Sequence, residues 1–197
     1  MNYLAHLALA APTDASLVGN LLGDFAKGTS AHLHSQFPPN LVEGLLMHRA
    51  IDRFTDAHPE FSKAKSLFAP ERRRFAGIAI DIIYDHFLSK HWSSFYTSDL
   101  SLFIDSVYQT LDRNPQWWIG QFKQAYPYMR HQDWLRCYQT IAGIELTLKR
   151  VASRSHSLSP LANCSDDFIK HYDQLERNFL AFYPSLIHYA GSLNRGN

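Results

Sequence analysis

Cysteine is scarce: Cys137 and Cys164 are the only two in 197 residues. They lie far apart and form no CxxC pair, which argues against a disulfide framework and a thiolate zinc site and fits a reducing compartment. No run of about 18 uncharged apolar residues occurs, so a membrane span is not expected. The apolar start MNYLAHLALAAP lacks a cationic leader, contains His6 and soon meets Asp14, so it does not read as a signal peptide. Charge of one sign is not in excess either. Nineteen basic against 18 acidic side chains leave a formal charge of +1, giving no electrostatic case for general nucleic-acid or membrane binding. Strand-type alternation is nearly missing, and so are a Gly-rich phosphate loop, a GxSxG elbow and an HExxH pair.

What is present is apolar residues at helical spacing. A hydrophobic content of 46% with 14% aromatics can build one sizeable core, and no polar linker divides the chain. The expectation is a single all-α domain over residues 1–197, a multi-helix bundle. Prolines punctuate the sequence and are costly in a helix interior. They frame expected helices over 2–10, 15–27, 39–56, 60–68, 71–95, 99–113, 115–129, 132–153 and 166–192, with Pro184 a candidate break. Gly28 is expected to close the second helix, and Asn114-Pro115 to separate the sixth from the seventh.

Two acid-bearing pairs interrupt apolar helical runs. At 100° per residue, Leu41, Leu45, His48 and Asp52 fall on one line, and so do Ile78, Asp81, Asp85 and Leu88. Burying imidazole and carboxylate costs several kcal/mol (~) per unpaired charge, so such groups need a cation, a shared proton or a partner. For Asp81 and Asp85 the positive group is a proton, Arg74 or a hard divalent cation, and the cation is the favoured reading. The structural alternative for His48 and Asp52 is a plain hydrogen-bonded pair one turn apart. Asp24 joins the candidates because a carboxylate near a helix C-terminus is disfavoured by the dipole. His6, in an apolar surround, is either a core histidine or a second-tier site residue. His86 points about 100° round the helix from Asp85. Residues 63–74, KAKSLFAPERRR, form a candidate anion-binding edge with five basic residues against one acidic. The aromatics Trp117, Trp118, Phe122, Tyr126, Tyr128, Trp134 and Tyr138 read as core.

The strings NYLAHL at 2–7, GNLLGDFAKG at 19–28, FPP at 37–39, MHRAIDRFTD at 47–56 and DIIYDHFLSKHW at 81–92 together resemble the acyl-carrier-protein phosphodiesterases. The likeness extends more loosely to HYDQLERNFLAFYP at 171–184 and so covers nearly the whole chain. It implies a cytoplasmic hydrolase that removes 4'-phosphopantetheine from holo acyl carrier protein with a divalent ion, preferably manganese, with magnesium or iron as substitutes. That family is in turn similar to the all-helical HD-type metal phosphohydrolases. This chain carries no His-Asp dipeptide, only the inverted Asp85-His86. The resemblance implies Asp24 and His48, with some of Asp52, Asp81 and Asp85, as metal ligands, and His86 or His6 as general acid. Arg49 and Arg72, Arg73 and Arg74 would bind phosphate or the acidic carrier protein. Two other readings compete: an HD-like phosphohydrolase acting on a nucleotide or small phosphomonoester, and a non-catalytic helical module that binds an acidic protein through residues 63–74.

Overall fold

The computed structural model describes residues 1–195 and contains, among them, helices and no strand. In chain order the α-helices are α1 (Tyr3–Leu9), α2 (Asp14–Leu22), α3 (Ser30–Gln36), α4 (Pro39–Ala57), α5 (Pro59–Ser66), α6 (Ala76–Lys90) and α7 (Trp92–Phe95). They continue with α8 (Leu100–Arg113), α9 (Gly120–His131), α10 (Trp134–Cys137), α11 (Ile141–Ala152), α12 (Cys164–Lys170) and α13 (Tyr172–Arg195). No helix among the described residues is long and apolar enough to cross a membrane.

Several starts are set by local chemistry. The Thr13 hydroxyl accepts from Ser16 N–H at 3.2 Å to open α2, Asp99 accepts from Ser101 and Leu102 N–H to open α8, and Thr140 accepts from Gly143 N–H to open α11. Each satisfies a donor that the helix itself leaves free. Pro39 and Pro59 occupy the first turns of α4 and α5, where a missing N–H costs nothing.

Helix α6 runs through the middle of the molecule, with Ile80, Ile83, Tyr84, Phe87 and Leu88 fully buried. The long α13 lays Phe179 and Phe182 against it, their rings 5.4 and 5.6 Å from that of Tyr84. Burial of each such side chain contributes about 1.5–3 kcal/mol, so this seam anchors the C-terminal half to the centre. Helices α2 and α4 meet at a closer distance, through glycine. A Cβ on Gly19 would stand 2.5 Å from the Leu41 carbonyl oxygen and 2.9 Å from Gly44 Cα, so only hydrogen fits there.

The expected all-α class and the break at Asn114-Pro115 are found, whereas several expected helices divide. The element expected over 71–95 splits at His91 into α6 and α7 and begins with a 3-10 turn at Arg73–Phe75. The one expected over 132–153 splits into α10 and α11 around the Thr140 cap. Helix α2 stops at Leu22 instead of reaching Gly28, and α3 lies where a loop was expected. Gly28 turns the intervening loop at φ +109°, a conformation that side chains rarely adopt. Pro184 does not interrupt α13, and Pro127 lies within α9. At each position packing outweighs the one helical hydrogen bond that proline removes.

Candidate metal centre

His48 and Asp52 sit one turn apart on the face of α4 that packs towards α1 and α2. His48 is buried, and its Nδ1 lies 2.7 Å from the backbone carbonyl oxygen of Asn20. That carbonyl can only accept, so it fixes the proton on Nδ1 and turns Nε2 towards the acids. Nε2 lies 3.0 Å from Asp52 Oδ2 and 3.4 Å from Asp24 Oδ1. Gly23, just past α2, makes room for this ring, since a Cβ there would lie 2.1 Å from His48 Cγ.

His6 enters from α1. Its ring stacks on that of His48 with centroids 3.8 Å apart and planes at 18°. Its Nε2 is 3.1 Å from Asp52 Oδ1 and 3.1 Å from the Met1 carbonyl oxygen, while its buried Nδ1 has no partner in the protein. One ligand atom each from His6, His48 and Asp52 lies within 4.8 Å of the others. Two imidazoles and a carboxylate, with a second carboxylate at the edge and an unpartnered buried nitrogen, make a donor set that suits a borderline divalent cation.

The electrostatics set the two rings apart. Burial lowers the pKa of His6 to about 4, aided by the neighbouring His48, so His6 is neutral and able to ligate. Burial also opposes charge on His48, yet hydrogen bonds to Asp24 and Asp52 raise its pKa to about 9. The Asp52 carboxyl is held well below its ordinary range despite burial, because both histidines bond to it. Two anionic oxygens therefore face one neutral imidazole and one imidazolium, and a cation taken up at His48 Nε2 would displace its proton.

Asp81 borders the same corner. It accepts from the Met1 amino group at 2.7 Å, and that amino group is 3.6 Å from Asp52 Oδ1. Burial pushes the Asp81 carboxyl up and the adjacent ammonium pulls it back. Asp85, one turn further along α6, faces a different task. It is fully buried and accepts from Leu4 and Ala5 N–H at 2.7 and 3.2 Å, capping α1 from across the interface. Burial raises its pKa to about 7 in spite of those two donors. Its oxygens are not part of the His6, His48 and Asp52 group.

The remaining expected site residues are elsewhere. His86 lies on another side of α6, its Nδ1 2.9 Å from the Tyr138 carbonyl and its Nε2 2.9 Å from the Tyr172 hydroxyl. Arg49 donates to the carbonyls of Gly28 and Ala26 at 2.9 and 3.0 Å and so pins the loop that carries Asp24. Arg72 forms a bidentate pair with Asp167, at 2.6 and 3.0 Å. Arg73 donates to the Phe68 carbonyl and Arg74 stacks on the Phe75 ring. None of these three lines the cleft described next.

From the metal corner a cleft of about 400 Å³ opens between α6 and α11, within the usual range for small-molecule sites. Asp24, Asp52 and Asp81 line it, and so do Thr147 and Arg150 of α11 and Arg154 in the turn just past that helix. Tyr3 senses charges of both signs: burial and the Asp24 charge raise its hydroxyl pKa, and Arg154 draws it down. Arg150 and Arg154 lie far from the histidines in the sequence and were not among the expected site residues. The Asn20 carbonyl carried no sequence signal, because any residue supplies one.

Comparison with known proteins agrees with this architecture. The family model described as acyl carrier protein phosphodiesterase matches residues 1–186. Among similar relatives, the acyl carrier protein phosphodiesterase of Enterobacter sp. (strain 638) is 38% identical over 192 residues, covering 95% of this chain and 96% of its own length. The proteins of the same name from Salmonella agona (strain SL483) and Salmonella newport (strain SL254) show the same identity and coverage. No solved structure matches. A match that starts at the first residue and continues far into α13 takes in every helix that builds the metal corner and its cleft, so the chain belongs to the acyl carrier protein phosphodiesterase family.

Proposed function

We propose that this protein hydrolyses the phosphodiester joining 4'-phosphopantetheine to the serine of holo acyl carrier protein, in the cytoplasm, giving apo carrier protein and 4'-phosphopantetheine. The observation that carries the reading is the convergence of His6, His48 and Asp52 beside a cleft that Asp52 and Asp24 line, in a chain of this family. A divalent cation, manganese by preference, would be held by these three with Asp24 beside them, and when bound supplies Lewis acidity to the phosphodiester and makes water a better nucleophile.

The chain's own residues do the rest. The Asn20 carbonyl sets the tautomer and orientation of His48, and Arg49 holds the loop that brings Asp24 to it. His6, neutral through burial, serves as a ligand and is a poor proton donor at neutral pH. His86 has both ring nitrogens occupied by Tyr138 and Tyr172, so we assign it to positioning α6 against the C-terminal helices. Asp85 holds the first turn of α1 and thereby the depth at which His6 enters.

The test is incubation with holo acyl carrier protein and Mn2+, with mass spectrometry of both products. Apo carrier protein and 4'-phosphopantetheine should appear in equal amounts with the wild type and should be lost with Asp52→Asn. Holo carrier protein left intact, with inorganic phosphate released from a nucleotide instead, would sink the reading.

A further inference from the structure

Arg150, in the last turn of α11, and Arg154, in the turn that follows it, both line the cleft that begins at the metal corner. Among the described residues neither has a carboxylate within 4.0 Å, whereas Arg72, Arg113, Arg130 and Arg136 are each paired with one. Two guanidiniums without a carboxylate partner on one cleft raise its positive potential and favour an anion there. The guanidinium fork matches phosphate oxygens with two parallel donors, and Thr147, one turn earlier on the same face, adds a hydroxyl. The same cleft is lined by the apolar side chains of Ile78, Val151 and Leu158, and Ile78 is 40% exposed. The cleft thus offers acid ligands for a cation, two phosphate forks and an aliphatic lining. That is the pattern demanded by a phosphate ester with a flexible, weakly polar arm.

We propose that Arg150 and Arg154 grip the phosphate of 4'-phosphopantetheine, while Ile78, Val151 and Leu158 carry its pantetheine arm. This assignment rests on the reaction proposed above. It moves phosphate recognition from the Arg72–Arg74 segment, whose first member is committed to Asp167, to α11. The three carboxylates that line the cleft would repel a phosphate, and the two guanidiniums supply the positive field that offsets them.

Calorimetric titration with 4'-phosphopantetheine and with phosphate-free pantetheine, both in the presence of Mn2+, separates the contributions. Loss of charged hydrogen bonds in Arg150→Ala and Arg154→Ala should each weaken 4'-phosphopantetheine binding about tenfold or more. Pantetheine binding should change less than about twofold, and Arg150→Lys should recover part of the loss, as a point charge without the fork does. KM for holo carrier protein should rise in parallel. Unchanged 4'-phosphopantetheine affinity in the double alanine variant overturns the proposal, and so does an equal loss for both ligands. If wild-type protein leaves holo carrier protein intact yet the arginine pair still governs 4'-phosphopantetheine binding, the reaction is overturned and the anion site stands.

Discussion

Single residues in this protein divide between those that face the cleft and those that hold something else in place, and type alone does not tell them apart. Asp81 and Asp85 are the same residue one turn apart on α6, yet the first meets the Met1 amino group and the second two backbone N–H groups of α1. Arg72 and Arg150 are likewise alike in sequence and opposite in use. The Arg72–Asp167 pair is a residue-scale case with a clear pH signature. Asp167 is almost fully buried, and despite the burial its carboxyl is held below the ordinary range by the Arg72 hydrogen bonds and the Ala69 N–H. A lowered folded pKa means that the stabilisation is present above the unfolded value of about 3.9 and is lost as pH falls through the folded one. Asp167→Asn is therefore expected to cost about 2 kcal/mol at pH 7 and to show a weaker loss of stability with acid than the wild type below about pH 4. Urea titrations at pH 7 and pH 3 would measure both.

At the scale of elements, the site depends on how closely α2 and α4 approach. Gly19 and Gly44 let the backbones touch, and Gly23 leaves the space that the His48 ring fills. The two glycines of α2's C-terminal half can be separated experimentally. Gly23 has helical angles of φ −54° and ψ −37°, so alanine suits its backbone, but the new methyl would collide with His48. Gly23→Ala should accordingly keep the helical circular dichroism spectrum and weaken Mn2+ binding about tenfold or more, the loss typical of disturbing a ligand's support. Gly19→Ala meets backbone instead of a side chain and should lower stability by about 1–3 kcal/mol through overpacking. Equal Mn2+ affinity in Gly23→Ala and wild type, read by calorimetry, would disprove the role given to that glycine.

For the whole molecule, the ligands come from α1 and α4, with Asp24 beyond α2 beside them, so a bound cation would tie three segments that are distant in sequence. Any ligand that binds only the folded state stabilises it by mass action, by about 2.7 kcal/mol at a concentration 100 times its Kd. For a chain of this size that corresponds to a rise in Tm of roughly 5–11 °C. Thermal melts with Mn2+ should show this rise, EDTA should abolish it, and His48→Ala should melt at the same temperature with and without the ion. A Tm insensitive to Mn2+ in the wild type would count against the metal corner.

The class of this fold was legible without coordinates, because apolar residues at a period of 3.6 and the lack of alternation depend only on local geometry. So were several helix starts, since Thr13, Asp99, Pro39 and Pro59 act on backbone groups within three residues of themselves, whereas the start at Thr140 lay inside the one helix expected over 132–153. The pairing of His48 with Asp52 was legible for the same reason, being one turn of one helix. What only tertiary structure decided was which of these groups meet across helices. His6 stacks on His48 across 42 positions of sequence, Asp85 turns to α1, and Arg150 and Arg154 line one cleft with acids more than 60 residues away from them. Such meetings depend on the rotation and depth at which one helix packs on another. Those are set by the summed fit of many side chains, here by glycines that admit close contact, and no short stretch of the chain contains them.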